Sequence, residues 1–313
     1  MRFAALMTLA IAGAATCGGS GAAVAQPSPL TDSRCRLVAS ELPAAYGECG
    51  RLEVPVNPAV PNGRTIELFV ARIPALGAEP RPDPLLLITG GPGQSTVDFY
   101  LEQRGALEAS RLDRDLILVD QRGTGRSAEC FGCSVPEELS LDTAGAAELG
   151  RLVDGCVAGL AEDPRYYTTS VAVQDLERVR AALGVERWNL YGVSYGTRVA
   201  QHYLRRYPER TRSVVLDGVV PPPLALGPDV AREAQRALEQ IFERCAADAL
   251  CGERFGDLNG TFASLLARLD AAEGTAPPLR AVELRTLVRF MSYNVATVAL
   301  LPILIDEAHG GNY

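Results

Sequence analysis

Hydrophobic positions along the chain follow two rhythms, and the change between them comes after about two thirds of its length. In the first part short apolar runs recur, at residues 84–89, 115–119, 188–191 and 213–216. Runs that are apolar at nearly every position fit strands buried on both faces, as in a parallel sheet. Between them, residues 96–112, 172–183 and 195–206 carry apolar positions at helical spacing. In the middle one Val173, Leu176, Val179, Ala182 and Leu183 share a face. Residues 50–56 and 65–73 read as two earlier strands separated by a turn at Pro61-Asn62-Gly63. Strand and helix alternating through short glycine-containing joints predict an α/β sheet, mostly parallel and flanked by helices.

Beyond Pro221-Pro222-Pro223 the strand runs stop. Residues 231–246, 258–272, 282–293 and 295–308 are amphipathic at helical period, which predicts a helical cap inserted after a sheet strand. The expected organisation is a leader over 1–25, a sheet-based core over 26–218 and a helical cap over 219–313.

The leader changes the reading of everything after it. Arg2 precedes an apolar stretch too short to span a bilayer comfortably, and Ala23-Val24-Ala25 before Gln26 matches a small-residue cleavage pattern. These features predict export as a secreted or periplasmic protein, with no membrane segment once the signal is removed. In an oxidising compartment cysteines become structural bridges. Removing Cys17 leaves Cys35, Cys49, Cys130, Cys133, Cys156, Cys245 and Cys251. Sequence proximity pairs Cys35 with Cys49 and Cys245 with Cys251, while Cys156 takes Cys130 or Cys133. Cys130-Phe131-Gly132-Cys133 lacks the strand-to-helix context of a redox motif.

Composition narrows the chemistry further. The net charge is −8, and all 30 basic residues are arginine, scattered rather than clustered. That distribution argues against a nucleic-acid partner. His202 and His309 are the only histidines, and neither has ligand spacing to a cysteine pair, so no metal or cofactor is expected.

The chemical signal is Gly192-Val193-Ser194-Tyr195-Gly196, with a predicted strand before it and a predicted helix after it. A serine on so sharp a strand-to-helix turn is pushed out above the sheet as a nucleophile, and the glycines leave room for the strained backbone. The adjoining helix N-terminus favours negative charge on the reacting oxygen. Gly90-Gly91-Pro92-Gly93 ends an earlier strand, where backbone N–H groups can approach a substrate carbonyl closely. Gly91 N–H and Tyr195 N–H are the expected oxyanion donors.

Together with Asp120-Gln121-Arg122-Gly123-Thr124-Gly125-Arg126-Ser127, these motifs occur in an order and spacing that resemble the prolyl-aminopeptidase and tripeptidyl-aminopeptidase group of α/β-hydrolases. The resemblance runs from about Cys35 to the end. Thr89 stands where many prolyl aminopeptidases carry histidine, which tilts the likeness toward the secreted tripeptidyl-aminopeptidase branch. The resemblance implies an α/β-hydrolase fold and a serine aminopeptidase acting on peptides with a free N-terminus. It also implies an architectural role for residues 120–127, with an Asp120–Arg122 ion pair as the expected internal contact.

A serine nucleophile needs a base and an acid to orient it, in the chain order Ser, Asp, His for this fold. His202 lies eight residues after Ser194 on the same predicted helix, about 12 Å along its axis, and points away from the elbow. His309, with Asp306 one helical turn before it, is a possible base that no strand precedes. Asp217, after the strand that follows the elbow, is a second-choice acid. The simplest expectation is that the sequence stops inside the cap, short of the last strands and their Asp and His loops. Glu233, Glu239 and Glu243 could meet a substrate amine. An esterase-type hydrolase and an inactive remnant that binds without catalysis are the competing readings.

Overall fold

A computed structural model describes residues 34–127, 145–160, 163–272 and 278–313. The leader, Cys17, Cys130 and Cys133 lie outside the described residues. The chain divides into two compact units between Pro222 and Pro223, four residues after the expected boundary. In the sheet unit the strands are β1 (Arg34–Leu37), β2 (Ala45–Pro55), β3 (Thr65–Ile73), β4 (Leu85–Ile88), β5 (Leu116–Val119), β6 (Trp188–Val193) and β7 (Thr211–Asp217). Its helices are α1 (Thr96–Glu102), α2 (Arg104–Leu107), α3 (Ala146–Gly159), α4 (Thr169–Ala182) and α5 (Tyr195–Arg206).

The sheet order is β1-β2-β3-β5-β4-β6-β7. Strands β5, β4, β6 and β7 are mutually parallel, whereas β1, β2 and β3 join through antiparallel pairings. Strand β2 therefore runs in the same sense as the parallel four. The register Ile117↔Leu86↔Leu190↔Val214 runs across those four strands. Successive residues point to opposite faces, and both faces are greasy. Leu86, Ile88, Ile117 and Val119 pack with Val173, Leu176 and Val179 of α4 and Val199 and Tyr203 of α5. Leu87, Leu116 and Leu118 pack on the other side with Val97, Tyr100 and Leu101 of α1. That two-sided burial is why the strand runs read as continuously apolar.

Several boundaries differ from the sequence pattern for local reasons. The helix expected over 96–112 breaks at Gln103 (φ −101°, ψ 12°), two residues before Gly105, and ends as a 3-10 turn over Glu108–Arg111. Glycine weakens a helix interior because its backbone has the most freedom to lose. Strand β1 was not expected: it is four residues long with only Leu37 buried, held by pairing with β2 and by the Cys35–Cys49 disulfide. Helix α3 was not expected either, because Gly150, Gly155 and Gly159 dilute its periodic signal. Cys156 on α3 is disulfide-bonded, with its partner outside the described residues.

The helical unit comprises α6 (Pro228–Ala247), α7 (Ala249–Phe255), α8 (Leu258–Ala271), α9 (Ala281–Met291), α10 (Val295–Val298) and α11 (Leu301–His309). Leu238, Phe242, Leu258, Leu265, Leu284, Leu301 and Ile305 form its core. The single helix expected over 295–308 is two, because Pro302 lacks an N–H and restarts the helix in its first turn. The Cys245–Cys251 disulfide joins α6 to α7 as the spacing anticipated. Among the described residues no helix is long and apolar enough to cross a membrane.

Candidate active site

Ser194 connects β6 to α5 with φ 54° and ψ −123°. A non-glycine residue rarely holds positive φ, and strain of this kind persists only where the surroundings impose it. Here they do. The Ser194 N–H donates to the Asp217 carbonyl (2.8 Å), and the Ser194 carbonyl accepts from Thr197 N (2.9 Å) and from Thr197 Oγ1 (2.7 Å). A Cβ on Gly192 would sit 2.6 Å from the Gly196 oxygen, and one on Gly196 would sit 2.1 Å from the Ile88 oxygen. Both flanking glycines are therefore required by backbone-to-backbone approach. The serine side chain is exposed above the sheet.

The loop after β4 lies against this elbow. A Cβ on Gly90 would come within 2.8 Å of Ser194 Cβ and 3.2 Å of its Oγ. Gly91 and Gly93 hold φ of 101° and 106°, on either side of a cis Gly91–Pro92 bond. Buried Thr89 closes the loop from inside, its Oγ1 donating to the Gln94 carbonyl (3.1 Å). Tyr195 is the first residue of α5, so its N–H stands outside the intrahelical ladder.

Two buried charged side chains follow β5, and they are not paired with one another. The expected Asp120–Arg122 ion pair does not form. Asp120 accepts hydrogen bonds from Ser95 Oγ (3.1 Å), Val97 N (3.2 Å) and Arg126 N (2.8 Å). Burial pushes its carboxyl above the ordinary range, against the pull of those donors. Ser95 in turn caps α1 by accepting from Asp98 N (3.1 Å). Gly125, at φ 51°, is needed because a Cβ there would fall 2.2 Å from Asp120 Oδ2.

Arg122 instead forks onto Asp175 of α4 through Nε (2.7 Å) and Nη2 (2.8 Å). Its other donors reach the carbonyls of Val56 (3.0 Å), Tyr166 (2.9 Å) and Pro55 (3.2 Å). The pair is almost wholly buried, which raises the Asp175 carboxyl while Arg122 opposes the rise. Asp175 was missed in the sequence, yet it left a signal: a lone acid on the apolar face between Ala172 and Val179.

The family model of the α/β hydrolase fold matches residues 83–250. The chain belongs to that family. It is 29% identical to serine protease Hip1 of Mycobacterium tuberculosis over 269 residues, covering 79% of this chain and 51% of that protein. Tripeptidyl aminopeptidase of Streptomyces lividans is 33% identical over 192 residues, 56% of this chain and 36% of that protein. Aligned with the crystal structure of proline iminopeptidase from Mycobacterium smegmatis, the chain shows 19% identity and a TM-score of 0.45, over 84% of this chain and 69% of that one. The chain spans about half the length of the first of these curated relatives.

Within this α/β-hydrolase the remaining candidates lie on other elements or find other partners. The Asp217 carboxylate accepts from the Tyr191 hydroxyl (2.7 Å), and burial together with that acid pushes the Tyr191 phenol up to about 12. His202 lies mid-way along α5, with its imidazole held below the usual value by burial and by Arg205 and Arg206. His309 ends α11 in the helical unit. Asp306, one helical turn before it, pairs with Arg254 (3.1 Å). No described side chain hydrogen-bonds Ser194 Oγ. Glu233, Glu239 and Glu243 are all exposed on α6, and Glu239 accepts from Gln235 (3.0 Å).

A third contact was not legible beforehand. Thr197 Oγ1, while donating to Ser194, accepts from Val220 N (2.7 Å). Gln201 reaches the Val220 carbonyl (3.1 Å), and Arg198 reaches those of Pro221 (3.0 Å) and Pro222 (3.2 Å). Helix α5 thus fastens the proline-rich segment that leaves the sheet unit.

Proposed function

We propose that this chain carries the nucleophile and oxyanion hole of an exported serine aminopeptidase that cleaves peptides from their free N-terminus. The observation that carries the reading is the Ser194 conformation, φ 54° and ψ −123°, between two glycines that admit no side chain. Ser194 Oγ attacks the scissile carbonyl carbon and its proton passes to a base. The C–N bond then breaks as the leaving amine takes up a proton, and water hydrolyses the acyl-enzyme. Gly91 and Tyr195 N–H groups hold the oxyanion as negative charge develops, a contribution that preorganised donors make without reorganising. Asp217 is assigned to elbow support, since its carbonyl holds Ser194 N–H and its carboxylate is taken by Tyr191. The helical unit after Pro223 serves as the cap. The names of the relatives support peptide chemistry, and the paired cysteines support an oxidising compartment.

A fluorophosphonate should label wild type at Ser194 and leave Ser194→Ala untouched. Tripeptidyl p-nitroanilides with a free amine should then be cleaved faster than their N-acetyl forms by about two orders of magnitude, because a site built around an amine loses that contact when it is capped. Equal rates on blocked substrates, or turnover of simple esters alone, would replace the aminopeptidase with an esterase. Absence of labelling would leave the fold without its chemistry.

A further inference from the structure

A cavity of about 350 Å³ opens beside the elbow within the sheet unit, inside the range of roughly 300–1,000 Å³ that small-ligand sites occupy. Gly93, Thr124, Tyr167, Thr168, Ala172 and Tyr195 line it. Two of these tie it to the reacting centre. Gly93 belongs to the loop that presses on Ser194, and Tyr195 follows Ser194 in the chain. A Cβ on Gly93 would meet nothing within 4 Å, so the loop leaves open space on that side.

The charge balance of the walls selects what can enter. Arg122 also lines the cavity, but all five of its N–H donors are engaged, two by Asp175 and three by the carbonyls of Pro55, Val56 and Tyr166. Its charge is neutralised in place and nothing remains for a ligand. A charged group entering here would lose water without gaining a counter-charge. The Tyr195 hydroxyl is held by Thr169 (2.6 Å), and the Tyr167 ring lies under the Arg122 guanidinium at 5.6 Å, so two aromatic walls are fixed. Among the described residues the Thr168 hydroxyl and the Gln121 carboxamide have no partner, leaving neutral hydrogen-bonding capacity at the rim.

We propose that this cavity is a substrate subsite beside the scissile bond, taking an uncharged side chain and rejecting acidic and basic ones, with Thr168 as a specificity-determining residue. The assignment rests on Ser194 being the nucleophile. The cavity walls that the described residues supply come from the segments after β4 and β5 and the starts of α4 and α5, all in the sheet unit.

The test separates the two readings by using two readouts on the full chain. Binding of N-acetyl amides of phenylalanine, leucine, aspartate and lysine is followed by saturation-transfer NMR, and Ser194 is titrated with a fluorophosphonate. The neutral amides should bind at least about tenfold more tightly than the charged ones and should slow labelling of Ser194. Thr168→Trp fills the space and should abolish the neutral preference, while an unchanged far-UV circular dichroism spectrum and urea midpoint show that it folds. Thr168→Asp, a favourable helix-capping residue, should raise lysine amide binding by about tenfold relative to wild type. Equal binding of neutral and charged amides to wild type would overturn the subsite, as would a neutral preference untouched by Thr168→Trp. Selective binding without any labelling of wild type would instead sink the serine-hydrolase reading, and the subsite assignment with it. Running the amides against substrates varied on either side of the cleaved bond then tells the acyl side from the leaving side.

Discussion

The sheet unit and the helical unit are held together by different physics. The buried polar and charged residues of the described chain, among them Thr89, Ser95, Asp120, Arg122, Asp175 and Thr197, all lie before Pro223. In the helical unit the buried positions are apolar, from Leu238 on α6 to Ile305 on α11, and its ion pairs are at the surface. Arg285–Asp270 and Arg280–Glu283 are about half exposed. Exposed pairs contribute about 0–1 kcal/mol each. A bundle of this kind asks only for apolar side chains of suitable size. The sheet unit asks for particular atoms at particular places, and Thr89, Ser95, Asp120 and Thr197 meet them in the segments around the elbow. Buried polar groups are expensive unless fully paired, so these positions mark where geometry is tightly constrained.

The sharpest way to break the contrast is at Gly196. Gly196→Ala puts a methyl 2.1 Å from the Ile88 carbonyl, and both partners are backbone in packed elements. We expect a loss of more than about 4 kcal/mol, the range reached only by severe mechanisms. The single tryptophan, Trp188, is buried at the start of β6, the strand that leads into the elbow, so its fluorescence reports the sheet unit during urea unfolding. A variant that unfolds at the wild-type urea midpoint would mean that β4 and α5 slide apart without cost, and that the elbow is not braced as described.

How far the sequence revealed this design follows the same division. The elbow and the loop at 90–93 were legible because glycine and apolar runs are local signals. The helical unit was legible as helices because its stripe repeats over long segments, although Pro302 divided one of them. What stayed hidden was pairing across distance. Arg122 looks like a partner for Asp120, two residues away, but the Asp120 carboxylate is taken by Ser95, Val97 and Arg126. Arg122 reaches instead 53 residues on, to Asp175. Thr197 likewise reads as an ordinary helix residue until Val220 is seen against it. Helix α3 disappeared because its three glycines weaken propensity in a segment whose Cys156 is tied by a disulfide.

The Arg122–Asp175 pair allows a quantitative comparison with the bundle. Arg122→Met leaves buried Asp175 with only Arg178, at 3.6 Å, as counter-charge and should cost about 3–5 kcal/mol. The double variant Arg122→Met/Asp175→Leu should recover much of that loss, since an apolar pair avoids the desolvation penalty. Leu265→Ala, at a fully buried position of α8, should cost about 3 kcal/mol by opening a cavity. The two losses should separate by probe. Trp188 fluorescence follows the first, while the helical far-UV signal follows the second with Ser194 labelling unchanged. A double variant no more stable than Arg122→Met would show that the pair holds the loop through the carbonyls of Pro55, Val56 and Tyr166 rather than through charge.

The smallest effect expected is a pH dependence at the opposite end of the parallel strands, where Asp83 precedes β4. Its carboxylate accepts from Asn189 Nδ2 (2.8 Å) and Arg114 Nη1 (2.5 Å), and also pairs with Arg212. Burial works to raise its pKa, but the hydrogen bonds from Asn189 and Arg212 and the charges of Arg114 and Arg212 outweigh it, holding the group down at about 2. A carboxyl lowered on folding stabilises the native state above its unfolded value near 3.8 and loses that contribution as pH falls toward 2. Asp120 and Asp175, both raised by burial, run the other way: their contributions are greatest in acid and decline as pH rises through their folded values. Acid should therefore weaken the sheet unit at the Asp83 end while sparing the contacts of Asp120 and Asp175. Unfolding followed by Trp188 fluorescence should show a loss of stability between roughly pH 4 and pH 2, and Asp83→Asn should flatten it. An acid limb of the same steepness in Asp83→Asn would move the origin of the effect to other lowered carboxyls of the unit, Glu108, Asp113, Asp163 and Glu177, and remove Asp83 as the support at that end of the sheet.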